Sequence, residues 1–257
     1  MEKKLYRKHK SFQSKKNIIA GRNPVIEALK TEKNVDKILL YKNASGESVH
    51  EIQTLAKRLN IPVQHVPNEK LNSLTNIQHQ GVIAFKSSVI YHDLQQVIDW
   101  INEKGETALL LMLDGITDIR NIGAIARSAV CCGVHALIIP DKGVGALHED
   151  AVKSSAGALE QIQICRESSL LKAIDSLRLN GIKIFSSEMK ATKKIFDIDF
   201  AEPCCIVMGN EAKGTQQYIS KAADEHFTIP MKSNFDSLNV SVAAGIILYE
   251  VMRQRNG

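Results

Sequence analysis

Four short and largely apolar segments, at 108–113, 136–139, 182–186 and 204–208, recur through the second half of this chain with helical stretches between them; only the third carries polar residues, Lys183 and Ser186. A strand with one face in water alternates polar and apolar residues, whereas a strand covered on both faces does not. The pattern therefore predicts an α/β architecture, a parallel sheet with helices on both faces. No run is long enough to cross a bilayer, so no membrane partner is expected.

Within 257 residues there is room for more than this one sheet. Residues 17–86 read as a smaller α/β unit: a helix opened by Asn23-Pro24, a strand at 37–41, a helix at 49–59, and strands at 61–66 and 81–85. Residues 87–106 are polar and less regular, and read as an edge strand or helix plus linker before the larger domain at 107–257. Ahead of both, residues 1–16 hold seven Lys or Arg against Glu2 alone, while the rest of the chain carries 26 basic and 27 acidic residues. The excess positive charge is thus confined to a basic tail suited to attracting phosphates or to solubilising the chain. No signal peptide is read at the N-terminus. Five cysteines without a C-x-x-C pair read as reduced core thiols, which implies a cytoplasmic protein.

Several familiar motifs begin here and fail. Gly209-x-x-x-x-Gly214 follows a strand as a phosphate loop would, but Thr215 stands where the lysine is required. Gly143-x-Gly145 lacks the third glycine of a dinucleotide fingerprint because His148 occupies it, and His148-Glu149 lacks the second histidine of a zinc motif. No metal site is expected.

Other polar residues sit where strands end and helices begin, the edge at which open α/β sheets bind ligands. After the first apolar strand, a helical projection puts Ile122, Ile125, Ala126, Ala129 and Val130 on one arc. Arg127 falls on the opposite side among Gly123, Ala124 and Ser128, either as a phosphate-recognising guanidinium or as an ordinary solvent-facing arginine. Glu211 lies between two glycines, positioned to accept a proton or to pair with Lys213. Ser237 and Asn239 precede a helix with apolar positions at 240, 244, 247 and 251, where both residue types commonly cap.

Taken together and in this order, the segments resemble the SpoU/TrmH family of RNA ribose 2′-O-methyltransferases, part of the SPOUT superclass. Asp118, Asn121, Gly123 and Arg127 match its first motif, Gly209-Asn210-Glu211-Ala212-Lys213-Gly214 its second, and Ile229-Pro230-Met231 with Ser237-Leu238-Asn239-Val240-Ser241 its third. Ile119 stands where the family usually has proline, and Ala212 where it usually has glycine. Ala20-Gly21-Arg22-Asn23-Pro24-Val25 and His79-Gln80-Gly81-Val82 resemble the L30e-like substrate-binding domain of the branch that methylates a guanosine of 23S rRNA.

The resemblance implies a trefoil knot in the C-terminal domain and a homodimer with its active site near the interface. It implies S-adenosylmethionine as cofactor, held by Gly209, Asn210, Ile229, Met231, Leu238 and Asn239. Arg127, Asn121, Glu211, Ser237 and Asn239 are the implied catalytic residues, and the implied substrate is 23S rRNA or a ribosome assembly intermediate. A tRNA guanosine methyltransferase of the same family and a non-catalytic L30e-like RNA-binding protein are the alternatives.

Overall fold

The structure, a computed structural model, describes residues 18–31, 35–87, 89–141, 147, 154–211, 213–232 and 237–256. The basic tail at 1–16, the failed motifs at Gly143-x-Gly145 and His148-Glu149, and Ala212 lie outside them. The chain divides into two compact units, the first holding Val63–Lys86 and the described residues up to Ala56, the second Lys57–Pro62 and the described residues from Ser87 on.

The N-terminal unit contains β1 (Ile18–Ala20), α1 (Arg22–Lys30), β2 (Val35–Tyr41), α2 (Glu47–Arg58), β3 (Val63–Val66), α3 (Asn68–Asn72) and β4 (Val82–Lys86). Its four strands form a mixed sheet in the order β1-β4-β2-β3, with β4 antiparallel to both neighbours. Pro24 falls in the first turn of α1, where an amide hydrogen would have no helical acceptor. Leu39, Val66, Leu71, Ile83 and Phe85 form a small buried cluster in this unit.

The C-terminal unit contains β5 (Tyr91–His92), α4 (Leu94–Glu103), β6 (Leu109–Leu113), α5 (Ile119–Cys131), β7 (Ala136–Pro140), β8 (Gln163–Glu167), α6 (Leu170–Leu179), β9 (Lys183–Ser187), β10 (Lys193–Lys194), β11 (Cys204–Met208), α7 (Gln217–Ser220), β12 (Glu225–Thr228) and α8 (Val240–Asn256). Eight strands form one parallel sheet in the order β10-β12-β9-β11-β6-β7-β8-β5. Alternate residues of one strand enter different cores. Leu109, Leu111 and Leu113 pack with Ile122 and Ile125 of α5 and with Ala244, Ile247 and Val251 of α8. Leu110 and Met112 face the other way, onto Leu94, Val97 and Ile98 of α4 and Ala173, Ile174 and Leu177 of α6. The centre of the sheet is therefore buried on both faces, which is why β6, β7 and β11 read as unbroken apolar runs.

Residues 87–106 hold both the edge strand and the helix read there, and only the separate linker needs correction: β5 pairs with β8 at the sheet edge, and α4 buries Leu94, Val97, Ile98 and Ile101 against the sheet. Asp93 caps α4 through a hydrogen bond from the Gln96 amide, so the polar residues of this stretch start a helix. The cysteines are all free but not all core. Cys165, Cys204 and Cys205 are buried, Cys132 is half-buried and Cys131, at the end of α5, is exposed. Burial pushes the Cys165 thiol up to about 12 and the Cys204 thiol up to about 11, which makes both poor nucleophiles.

The last turn of α8 is tied to the sheet by one side chain. Arg255 donates from Nε to the Phe200 carbonyl at 2.9 Å, from Nη1 to Thr107 at 2.8 Å, and from Nη2 to Ala108 at 3.0 Å and Glu202 at 2.9 Å. Only a guanidinium supplies so many directed donors. Arg255→Ala should lower stability by about 2–4 kcal/mol. Urea unfolding should show this as a lower midpoint with an unchanged slope. A loss under about 0.5 kcal/mol, the range of ordinary surface changes, would contradict it.

Candidate active site

All eight strands of the C-terminal unit run the same way, so the loops after β6, β9, β11 and β12 leave one edge of the sheet. At that edge is a cavity of about 390 Å3. Ser187, Glu188, Met189 and Lys190 after β9 form one wall, and Met208 to Glu211 with Lys213 to Thr215 after β11 form another. Thr228, Ile229 and Met231 after β12, then Ser237, Leu238, Val240 and Ala243 at the start of α8, complete it. Of the residues implied to hold a cofactor, Gly209, Asn210, Ile229, Met231 and Leu238 line this cavity; Asn239 does not line it but lies between two residues that do.

The loop after β11 is a closed hairpin. Asn210 and Gly214 exchange both backbone hydrogen bonds, at 3.1 and 2.7 Å. Asn210 Nδ2 donates to the Gly115 carbonyl at 3.1 Å, and the Gln216 amide donates to Oδ2 of the buried Asp114 at 2.6 Å. The hairpin is thus fastened to the loop after β6. The backbone amides of Asn210 and Gly214 are consumed within it, so they cannot cradle a phosphate, which agrees with the failed phosphate-loop motif.

Beside the hairpin, three side chains from distant segments meet. Asn121 Nδ2 donates to Glu211 Oε1 at 2.8 Å, and Asn239 Nδ2 donates to the same oxygen at 3.0 Å and to Asn121 Oδ1 at 3.2 Å. The Val240 amide also donates to Glu211 Oε1, at 3.4 Å. Glu211 therefore turns to Asn121 and Asn239 and not to Lys213. Asn239 serves two purposes at once. Its Oδ1 accepts from the Ser241 amide at 3.0 Å, capping α8, while its Nδ2 holds the carboxylate. Asn121 is held at the start of α5, where Asp118 caps the helix by accepting from the Arg120 amide at 2.9 Å. Ile119 is the first residue of that helix, a position where proline is favoured but not required, so this departure from the family pattern leaves the turn intact.

Ser237 lines the cavity, whereas Asn121 touches it only through Glu211. Arg127 does not line the cavity. It is exposed on α5, six residues beyond Asn121 or about 9 Å along the helix axis. Among the described residues Arg127 has no ion-pair partner. Sequence reading missed the β9 wall altogether. Glu188 and Lys190 bring charge to the cavity, and Glu188 accepts from Ser186 Oγ at 3.0 Å, but no motif marks them.

A parallel sheet whose carboxyl edge holds a cavity and an asparagine-carboxylate cluster places this chain among the α/β proteins that bind ligands at that edge. The family model of the SpoU rRNA methylases matches residues 108–249, and a model for RNA 2′-O ribose methyltransferase substrate binding matches residues 18–91. A Bacillus subtilis protein, YacO, which bears a TrmH family tRNA/rRNA methyltransferase name, is 33% identical over 238 residues, covering 93% of this chain and 96% of its own. A Staphylococcus aureus protein (strain MSSA476) named for the same family is 36% identical over 239 residues, with the same coverage. Among solved structures, the SpoU methyltransferase AviRb from Streptomyces viridochromogenes in complex with AdoMet is 25% identical with a TM-score of 0.59, covering 93% of this chain and 90% of that one. This chain belongs to the SpoU/TrmH family of RNA 2′-O-ribose methyltransferases.

Proposed function

We propose that this protein uses S-adenosylmethionine to methylate the ribose 2′-hydroxyl of a guanosine in 23S rRNA, free or within a ribosome assembly intermediate, and that it works in the cytoplasm as a homodimer. The AdoMet complex of AviRb supports the choice of cofactor, and the cavity fits it. Apolar Met208, Ile229, Leu238 and Val240 suit an adenine ring, while Glu188, Lys190 and Ser237 supply polar contacts for the sugar and amino-acid portions. The cofactor supplies a methyl group on a sulfonium, already a good leaving group. What remains for the protein is to position a ribose hydroxyl and to handle its poorly acidic proton.

The observation that carries this proposal is the meeting of Asn121, Glu211 and Asn239 at one carboxylate oxygen beside the cavity. These amides hold Glu211 in one orientation, from which it orients the ribose and serves as the candidate proton acceptor. Arg127 stabilises negative charge developing on the 2′-oxygen while docking the adjacent phosphate. The homodimer is supported by α8, which buries Val240, Ala244, Ile247 and Val251 on one side and exposes Val242, Ile246 and Tyr249 on another. A second copy packed there would bring the exposed faces of α5 and α8 to the interface. The strand order is the ground for the knot: β12 lies beyond β9, yet α8 packs with α5 against β6, on the other side of β9 and β11. The preference for rRNA rests on the likeness of Ala20-Gly21-Arg22-Asn23-Pro24-Val25 and His79-Gln80-Gly81-Val82 to the 23S branch; the match of the N-terminal unit as an RNA substrate-binding domain is common to both readings.

Calorimetry with S-adenosylmethionine and ribose-methylation mapping of RNA from cells with and without the protein test this directly. Saturable cofactor binding and one lost 23S site are expected. Absence of cofactor binding would leave only a non-catalytic RNA binder, and a lost site confined to tRNA would replace the substrate.

A further inference from the structure

We propose that residues 68–81 of the N-terminal unit form a pocket for one unstacked nucleobase of single-stranded RNA, read through side-chain amides. This inference rests on the assignment of the chain as an RNA methyltransferase and concerns a site separate from its methyl-donor cavity.

The pocket lies between α3 and the turn into β4, with a volume of about 550 Å3, within the range of ligand sites. Asn68, Asn72, Asn76, Gln78 and His79 line it, with Ile77 beside them. No Asp, Glu, Lys or Arg is among the lining residues. An uncharged wall rich in paired donors and acceptors matches the edge of a neutral base, which also alternates donors and acceptors. It is poorly suited to a phosphate, which calls for cations or free backbone amides. Ile77 is 62% exposed and offers apolar surface on which a base plane can lie.

The turn that carries these groups is rigid. Buried His79 accepts from the Gly81 amide through Nδ1 at 3.0 Å, which leaves the ring proton on Nε2 to be donated to Asn72 Oδ1 at 2.8 Å. The Asn72 amide is thereby oriented, with Nδ2 left as a donor. Gln80 accepts from the Arg22 amide at 3.2 Å through its side chain, and from Arg22 Nε at 3.2 Å through its carbonyl. Arg22 Nη1 donates on to the Ser45 carbonyl at 3.1 Å. Gln80 is held at a φ of 50°, a left-handed conformation that non-glycine side chains disfavour. Such strain persists only where the surroundings over-determine it, and it gathers at ligand sites.

The test uses the full-length protein and four labelled homopolymer RNAs (A, C, G, U) of about 12 nucleotides, a length matched to single-strand sites. Asn76 and Gln78 are exposed, so their replacement leaves the fold alone. The wild type should rank the four RNAs unequally. Asn76→Ala with Gln78→Ala should weaken the preferred RNA about tenfold and flatten the ranking, with no change in the salt dependence of binding. Equal binding of all four RNAs by the wild type would overturn the proposal. So would an unchanged ranking in the variant, or a loss accompanied by a shallower salt slope, the mark of a phosphate contact. Cofactor affinity measured in parallel separates the two claims. A protein that ranks bases but binds no methyl donor keeps the pocket and loses the enzyme assignment.

Discussion

Arg127→Ala should reduce methyl transfer by about 100- to 1,000-fold or more while leaving cofactor affinity and stability near wild type. The expectation follows from where the side chain stands. Arg127 is exposed on the side of α5 opposite Ile122, Ile125, Ala126 and Ala129, all fully buried. Among the described residues no carboxylate neutralises it, so the fold does not use its charge and its removal should cost under about 0.5 kcal/mol. It does not line the cavity, so donor binding should persist. On the proposed function, what is lost is the positive charge that stabilises the alkoxide and docks the phosphate of the RNA. Transfer of labelled methyl groups to RNA, with calorimetry on the same preparation, measures both quantities. Arg127→Lys should recover only part of the activity, because an ammonium keeps the charge without the planar fork. A parallel loss of donor affinity would place Arg127 in the donor site instead, and retention of activity within tenfold would remove it from the reaction.

How much of this was legible beforehand depended on burial. β6, β7, β9 and β11 could be read because both faces of each strand are covered, so every position is free to be apolar. β8 could not. Gln163, Arg166 and Glu167 interrupt it, and Arg166 is tolerated in the interior because its guanidinium lies over the Tyr91 ring at 3.9 Å. Tyr91 belongs to a two-residue strand with no sequence signal of its own. Residues 87–106 could be read only as an edge strand or helix plus linker, because polar residues blur the helical spacing that Leu94, Val97, Ile98 and Ile101 keep.

At the site, individual residues were ambiguous for a physical reason. Glu211 has Lys213 two positions away, and sequence spacing alone favours that pair. The fold instead supplies Asn121 from 90 residues away and Asn239 from 28 away. Only the order of three motifs, compared with a family, could anticipate such a meeting. Asn239 shows that the ordinary and the functional explanation need not compete, since its oxygen caps the helix and its nitrogen holds the carboxylate. Glu188 and Lys190 had neither periodicity nor motif, and the cavity alone brings them in.

Gly209→Ala should cost about 3–5 kcal/mol and abolish donor binding. A methyl group built on Gly209 would overlap the Gly214 carbonyl group and the Thr215 nitrogen, which are backbone atoms and cannot rotate away. The loop could give way only by opening the Asn210–Gly214 hairpin, freeing Asn210 from the Gly115 carbonyl, and pulling Gln216 from Asp114. Each of these contacts also shapes the cavity, so stability and donor affinity should fall together. Gly214→Ala is the control, five residues on. Gly214 has a φ of 68°, so alanine there is strained by about 1–2 kcal/mol, but no atom lies within 4 Å of the added methyl. That variant should lose a few degrees of thermal stability and still bind S-adenosylmethionine. Comparable losses in the two variants would mean that the close approach of Gly214 and Thr215 is not what requires glycine at the end of β11. Unaltered donor binding by Gly209→Ala would remove this hairpin from the cofactor site.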